Sequence, residues 1–146
     1  MDLESRETNR KSVIETNNHL LKLFEKDLVQ SGISEKTINR HLSNVDFYIN
    51  TYLLREEIYP MEYGVNMIDE FLGDFFIRKC MWSTPGNIKS TAASIKKFYH
   101  SMLTHSKISK KDYDYLCSEI QDGLETWQLN CELYNDPDAP NPFLFF

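Results

Sequence analysis

The sequence predicts an all-α domain, an orthogonal bundle of four to five helices, on three observations. Apolar residues recur at spacings of three and four through most of the 146 residues, glycine and proline number only five each, and three of the five prolines fall in the last ten positions. Three-and-four spacing is the helical period, and scarce breakers leave helices uninterrupted. A chain of this length is expected to fold as one unit around one core. The apolar share of 41%, with nine Phe, eight Tyr and two Trp, is too high for a disordered chain, and no apolar run is long enough to span a bilayer.

Residues 1–16 read as a polar arm, frayed or with a short helical turn. Its opening, Met1-Asp2-Leu3-Glu4-Ser5-Arg6-Glu7, mixes acids and bases with no apolar stretch behind it, so neither a secretory signal nor a transit peptide is expected and the location expected is the cytoplasm. A helical core follows over 17–134. Its first helix runs over roughly 17–31, with Leu20, Leu21, Phe24 and Leu28 on one face and Gly32 at its end. Ser34 is a good N-cap for a second, long amphipathic helix carrying Ile38, Leu42, Val45, Ile49 and Tyr52 and reaching about Arg55. Pro60 and Gly64 make 56–66 a connection, after which Ile68, Phe71, Leu72, Phe75 and Phe76 form a very apolar third helix, the expected centre of the core.

Thr84-Pro85 starts the fourth helix, with Ile88, Ala92, Ile95, Tyr99 and Met102 on its core side. Ser109, with Asp112 three residues on, opens the fifth, in which Tyr113, Leu116, Ile120, Leu124, Trp127, Cys131 and Tyr134 keep the period through Gly123. Residues 135–146 carry Asp-Pro, Ala-Pro and Asn-Pro steps and end in Phe143-Leu144-Phe145-Phe146, a non-helical tail whose apolar tip is expected to fold back rather than stand in water.

Charge is distributed unevenly. The net charge is −6, yet residues 1–76 hold 8 basic and 14 acidic side chains, 77–111 hold 8 basic and no acidic ones, and 112–146 hold 8 acidic and no basic ones. The middle block is thus a basic segment in an acidic protein. Cys80, Cys117 and Cys131 are odd in number and widely spaced, which predicts reduced, buried packing residues rather than disulfides or a zinc site.

The phosphate-cradling and common hydrolase motifs are absent from the sequence. His19, His41, His100 and His105 do not converge by spacing, so no metal is expected and the histidines read as solvated or hydrogen-bonded. Adjacent acids such as Asp69-Glu70 and Glu56-Glu57 point about 100° apart on a helix, which suits solvated helix ends rather than an acid-base pair. Neither an enzymatic activity nor a cofactor is expected.

On a helical projection Lys89, Lys96, His100 and Lys107 fall within roughly 40° of one another, giving the fourth helix a basic edge about 27 Å long. Lys97, Ser90, Ser101 and Thr104 add donors on the adjoining face, a chemistry suited to phosphate contact. The competing reading is a solvated helix face whose lysines are offset within the fold by Glu119, Asp122 and Glu125 of the fifth helix.

Two stretches resemble a known family. Gly32-Ile33-Ser34-Glu35-Lys36-Thr37-Ile38, and Ser90 to Ile95 leading into Lys96-Lys97-Phe98-Tyr99-His100-Ser101-Met102-Leu103 with Ile108 after a turn, are similar to the N-terminal core-binding, SAM-like domain of phage integrases and other tyrosine recombinases. The resemblance spans roughly residues 18–125. It implies an integrase-like helical bundle whose second and fourth helices face DNA, with Lys36, Thr37 and Arg40 at the start of one and Lys89, Lys96, Lys97 and His100 on the other, and Lys107 closing the basic edge. In place of the catalytic domain that follows in that family stand an acidic fifth helix and the apolar tail, so no strand transfer is expected. The partners implied are double-stranded DNA, bound weakly and salt-dependently, and a recombinase or another protein; no membrane is expected. The alternative is a protein-interaction module of the same fold, using the acidic fifth helix or the tail Phe143 to Phe146.

Overall fold

Asp2 opens the first helix by accepting the Ser5 amide at 2.7 Å, and α1 then runs unbroken over Leu3–Gln30. The polar stretch expected to fray is therefore helical, for a tertiary reason. The computed structural model describes residues 2–144, and in it α1 lies alongside the second helix in the opposite sense. Arg10 donates to the Leu54 carbonyl at 2.7 Å and Arg6 to that of Glu56, so two cations of α1 hold the turn that follows the neighbouring helix.

α2 (Glu35–Asp46) is capped by Ser34, which accepts the Thr37 amide at 3.3 Å, and continues as a π-helical segment over Phe47–Tyr52. The wider turn is marked by the Leu53 amide on the Tyr48 carbonyl at 3.0 Å, and Tyr48, Ile49, Tyr52 and Leu53 all reach the core. The Ile49 carbonyl is satisfied from outside: buried Asn17 of α1 donates to it at 3.1 Å and to Asn50 Oδ1 at 2.8 Å.

A 3₁₀ turn over Met61–Asn66 fills the connection. It is held by two buried hydroxyls, Tyr48 donating to the Gly64 carbonyl at 2.5 Å and Tyr99 to that of Met61 at 2.6 Å. The third helix expected from the sequence is α3 (Ile68–Glu70), a π-helical segment over Phe71–Phe75, and α4 (Phe76–Lys79) in continuous succession. Its Phe71 lies at the centre of the aromatic core, 4.8 Å from the Tyr48 ring and 4.7 Å from that of Tyr52.

α5 (Pro85–Thr104), the expected fourth helix, starts with Thr84 accepting the Asn87 amide at 3.0 Å, and α6 (Lys110–Asn135) starts with Ser109 accepting that of Asp112 at 3.1 Å. α6 packs along α5 on one side and against the α3–α4 region on the other, where Trp127 donates to Asp69 at 2.6 Å. Asp69 and Glu70 are both exposed, as expected, and each also has a partner: Glu70 pairs with Arg55 at 3.4 Å. Phe143 folds back onto Tyr134, with ring centroids 5.8 Å apart, beneath the Arg78 guanidinium; Phe145 and Phe146 lie outside the described residues. All three cysteines are free, Cys80 and Cys131 buried and Cys117 only half-buried. Burial pushes the Cys80 thiol up to about 11, which leaves it protonated at neutral pH. Among the described residues there is no strand, and no helix is long and apolar enough to cross a membrane.

Candidate nucleic-acid interface

The surface shared by α2 and α5 is organised by a polar cluster that is itself buried. His41 Nδ1 and the Ser94 hydroxyl lie 2.7 Å apart, Asn44 donates to the same hydroxyl at 3.0 Å, and that hydroxyl donates to the Ser90 carbonyl at 3.1 Å. Ser94 is thereby the hub of the cluster, sharing a hydrogen bond with the imidazole while it engages Asn44 and its own helix. Burial, reinforced by the charges of Arg40 and Lys97, holds the His41 imidazole below its ordinary value of 6.5.

Arg40 precedes His41 on α2 and Lys97 lies about one turn beyond Ser94 on α5, and both are exposed. Among the described residues neither is in an ion pair. Nor does an ion pair link Lys89 or Lys96 to Glu119, Asp122 or Glu125, so the offset by α6 that the sequence permits is not made by direct contact. The pairs that do form are Arg55–Glu70, Arg78–Asp74, His105–Asp27 and Lys110–Asp114, none of which includes a candidate phosphate-binding residue.

The other candidates divide by position. Lys36 is exposed in the first turn of α2, whereas Thr37 is half-buried and its hydroxyl accepts from Ser34 at 3.0 Å as part of the cap. On α5 the exposed face carries Lys89, Ala93, Lys96, Lys97, His100 and Thr104. His100 leans edge-on against Tyr113 of α6 at 5.6 Å, so the Lys89–Lys96–His100 edge borders α6 while Lys97 borders α2.

Two details differ from the helical projection. α5 stops at Thr104, and Ser106 adopts φ 60° in the turn that follows, so Lys107 leaves the helix axis and the edge shortens to about 16 Å between Lys89 and His100. Ser101, expected among the exposed donors, is 4% exposed and donates to Asp27 Oδ2 of α1 at 2.5 Å. His105 Nε2 meets the same carboxylate oxygen at 3.0 Å, so Asp27 is the hub of a second polar cluster, tying α1 to the end of α5.

Between these clusters lies an open groove of about 660 Å³, with Asp27 and Ile33 on one wall and Lys96, Lys97, His100 and Thr104 on the other. Its one carboxylate is already engaged by Ser101 and His105, which leaves the lysines as its free charges. No group of His, Cys, Asp and Glu among the described residues is arranged to hold a metal ion. Nothing in the sequence spacing marks His41, Ser94 and Asn44 as one cluster, because they lie on helices 50 or more residues apart along the chain. Comparison with protein-family models, with curated proteins and with solved structures finds no match to this chain.

Proposed function

We propose that the chain is a DNA-binding module of integrase core-binding, SAM-like type that grips backbone phosphates with the α2–α5 face and carries out no chemistry itself. The observation that carries this reading is that Arg40 of α2 and Lys97 of α5, on two helices packed against each other, are both exposed and, among the described residues, in no ion pair. Like charges held together cost free energy, and an anion between them reverses the sign of that interaction. Lys36, Lys89 and Lys96 extend the field on either side, and no acidic residue occurs anywhere between positions 77 and 111. Phosphate contacts of this kind position a protein on a duplex without reading its sequence, so weak, salt-sensitive and largely sequence-independent binding is expected.

Fluorescence anisotropy with duplex DNA at about 50 mM salt tests the reading. The wild type is expected to bind in the range of about 10⁻⁴ to 10⁻⁶ M typical of non-specific contacts. A Lys89→Ala, Lys96→Ala, Lys97→Ala variant should lose that binding while its circular dichroism is unchanged. No binding by the wild type overturns the proposal. The rival reading is docking of another protein by the acidic fifth helix or by the C-terminal tail; its tail version draws no support from Phe143, which packs on Tyr134 and Arg78 of its own chain.

A further inference from the structure

The turn between α4 and α5 exposes two large apolar side chains, one wholly and one in large part. Met81 is fully exposed and Trp82 is 57% exposed, at the tip of a short, well-braced segment. The Trp82 carbonyl accepts from Asn87 at 2.7 Å, the Ser83 amide bonds the Cys80 carbonyl at 3.0 Å, and the Ser83 hydroxyl donates to the Ile77 carbonyl at 3.3 Å. The indole packs at near right angles to the rings of Phe47, at 5.9 Å, and Phe76, at 6.4 Å. Its outer part is in water, above a small groove of about 180 Å³ lined by Ser43, Asn44 and Thr91.

The groove places Trp82 on the same α2–α5 seam as the cations. Asn44 lines it and also donates to Ser94, the residue that meets His41 beside Arg40 and Lys97. Thr91 and Lys97 are six residues apart on α5, about 9 Å along the axis. That is about two to three base steps of one DNA strand. A pre-positioned indole beside unpaired cations is the arrangement that binds an unstacked base, the aromatic face taking the base and the cations the adjoining phosphates. Because the ring is already fixed by Phe47 and Phe76, little side-chain freedom is lost on binding.

We propose that Trp82, with Met81 beside it, is a stacking contact for an unpaired base, so that the α2–α5 face prefers DNA with a single-stranded end over fully paired duplex. The proposal rests on the DNA-binding reading given above. Anisotropy titrations of a blunt duplex and of the same duplex carrying a short single-stranded end separate the two ideas. The wild type is expected to favour the single-stranded end by about tenfold. Trp82→Ala should abolish that preference and leave blunt-duplex affinity within about twofold, while Trp82→Phe keeps most of it and serves as the control for folding. Tryptophan emission should be quenched by the tailed DNA in the wild type and not in Trp82→Phe, whose remaining indole, Trp127, is buried. Equal affinity of the wild type for both DNAs overturns this inference and leaves the phosphate-binding reading intact. Equal loss of both affinities in Trp82→Ala also overturns it, and binding to neither DNA overturns both.

Discussion

Single side chains carry more of this fold's specificity than their number suggests. His41 is enclosed, neutral and bonded to Ser94, and its protonation in place is opposed by burial and by Arg40 and Lys97. Its folded-state pKa therefore lies below its unfolded value of 6.5, so the unfolded chain takes up the proton first as pH falls. The contribution of His41 is complete above 6.5, declines as pH falls from there through the folded value, and levels off below it. Thermal unfolding at about pH 7.5 and about pH 5 should show a decrease in Tm that is smaller in His41→Gln; an identical decrease in both proteins would remove His41 from the account. Gly64 is a second such position. A Cβ there would overlap the Tyr99 hydroxyl and press on Leu53 and Tyr48 at 3.1 Å, so the Met61 and Gly64 carbonyls could not both keep their buried tyrosine partners. Gly64→Ala should cost about 3 kcal/mol in chemical denaturation, and Tyr99→Phe about 1–2 kcal/mol.

At the scale of the element, the π-helical segment Phe47–Tyr52 and the turn after it present backbone carbonyls that side chains from α1 satisfy. Asn17 does so for Ile49, and Arg10 and Arg6 do so for Leu54 and Glu56. The long polar start of α1 is thereby fixed as a helix by what it donates rather than by what it buries. Asn17→Ala leaves the Ile49 carbonyl unsatisfied in a buried place and is expected to destabilise by about 2 kcal/mol. Arg10→Ala, in a half-exposed setting, should cost about 1 kcal/mol or less. Native-state hydrogen exchange of the Phe47–Tyr52 amides reports both, and unchanged protection in Asn17→Ala would show that the carbonyl finds another partner.

For the whole molecule, the sum of charges and their placement oppose each other. A net charge of −6 repels a polyanion at long range, while the α2–α5 face attracts it at contact. The first effect is screened within about 8 Å at physiological ionic strength, and the second operates inside that distance. Salt therefore screens the repulsion while it weakens the contacts, and the proposed binding should lose less affinity with salt than that of a strongly basic protein making more phosphate contacts. Three phosphates neutralised by Arg40, Lys96 and Lys97 predict a log–log salt slope of about −3. Arg40→Ala should lower its magnitude by about one; a slope near zero would mean that the contacts are not to phosphates.

The candidate site was legible in the sequence as a set of cations and not as a place. The basic block of residues 77–111 and the exposed Lys89, Lys96 and Lys97 follow from spacing alone, because a helix projects its residues by a fixed angle. Lys107 and Ser101 did not follow, since the end of α5 at Thr104 and the pull of Asp27 are set by contacts with α1 that no local period encodes. The sequence by itself determined the all-helical class, the caps at Ser34, Thr84 and Ser109, and the apolar faces, all of which depend on neighbours within four residues. Only the tertiary structure decided that residues from Leu3 onward are helical, that His41 of α2 is buried against Ser94 of α5, and that Trp82 is left more than half exposed. Each of these rests on partners dozens of residues away, where burial, charge and hydrogen bonding act through space rather than along the chain.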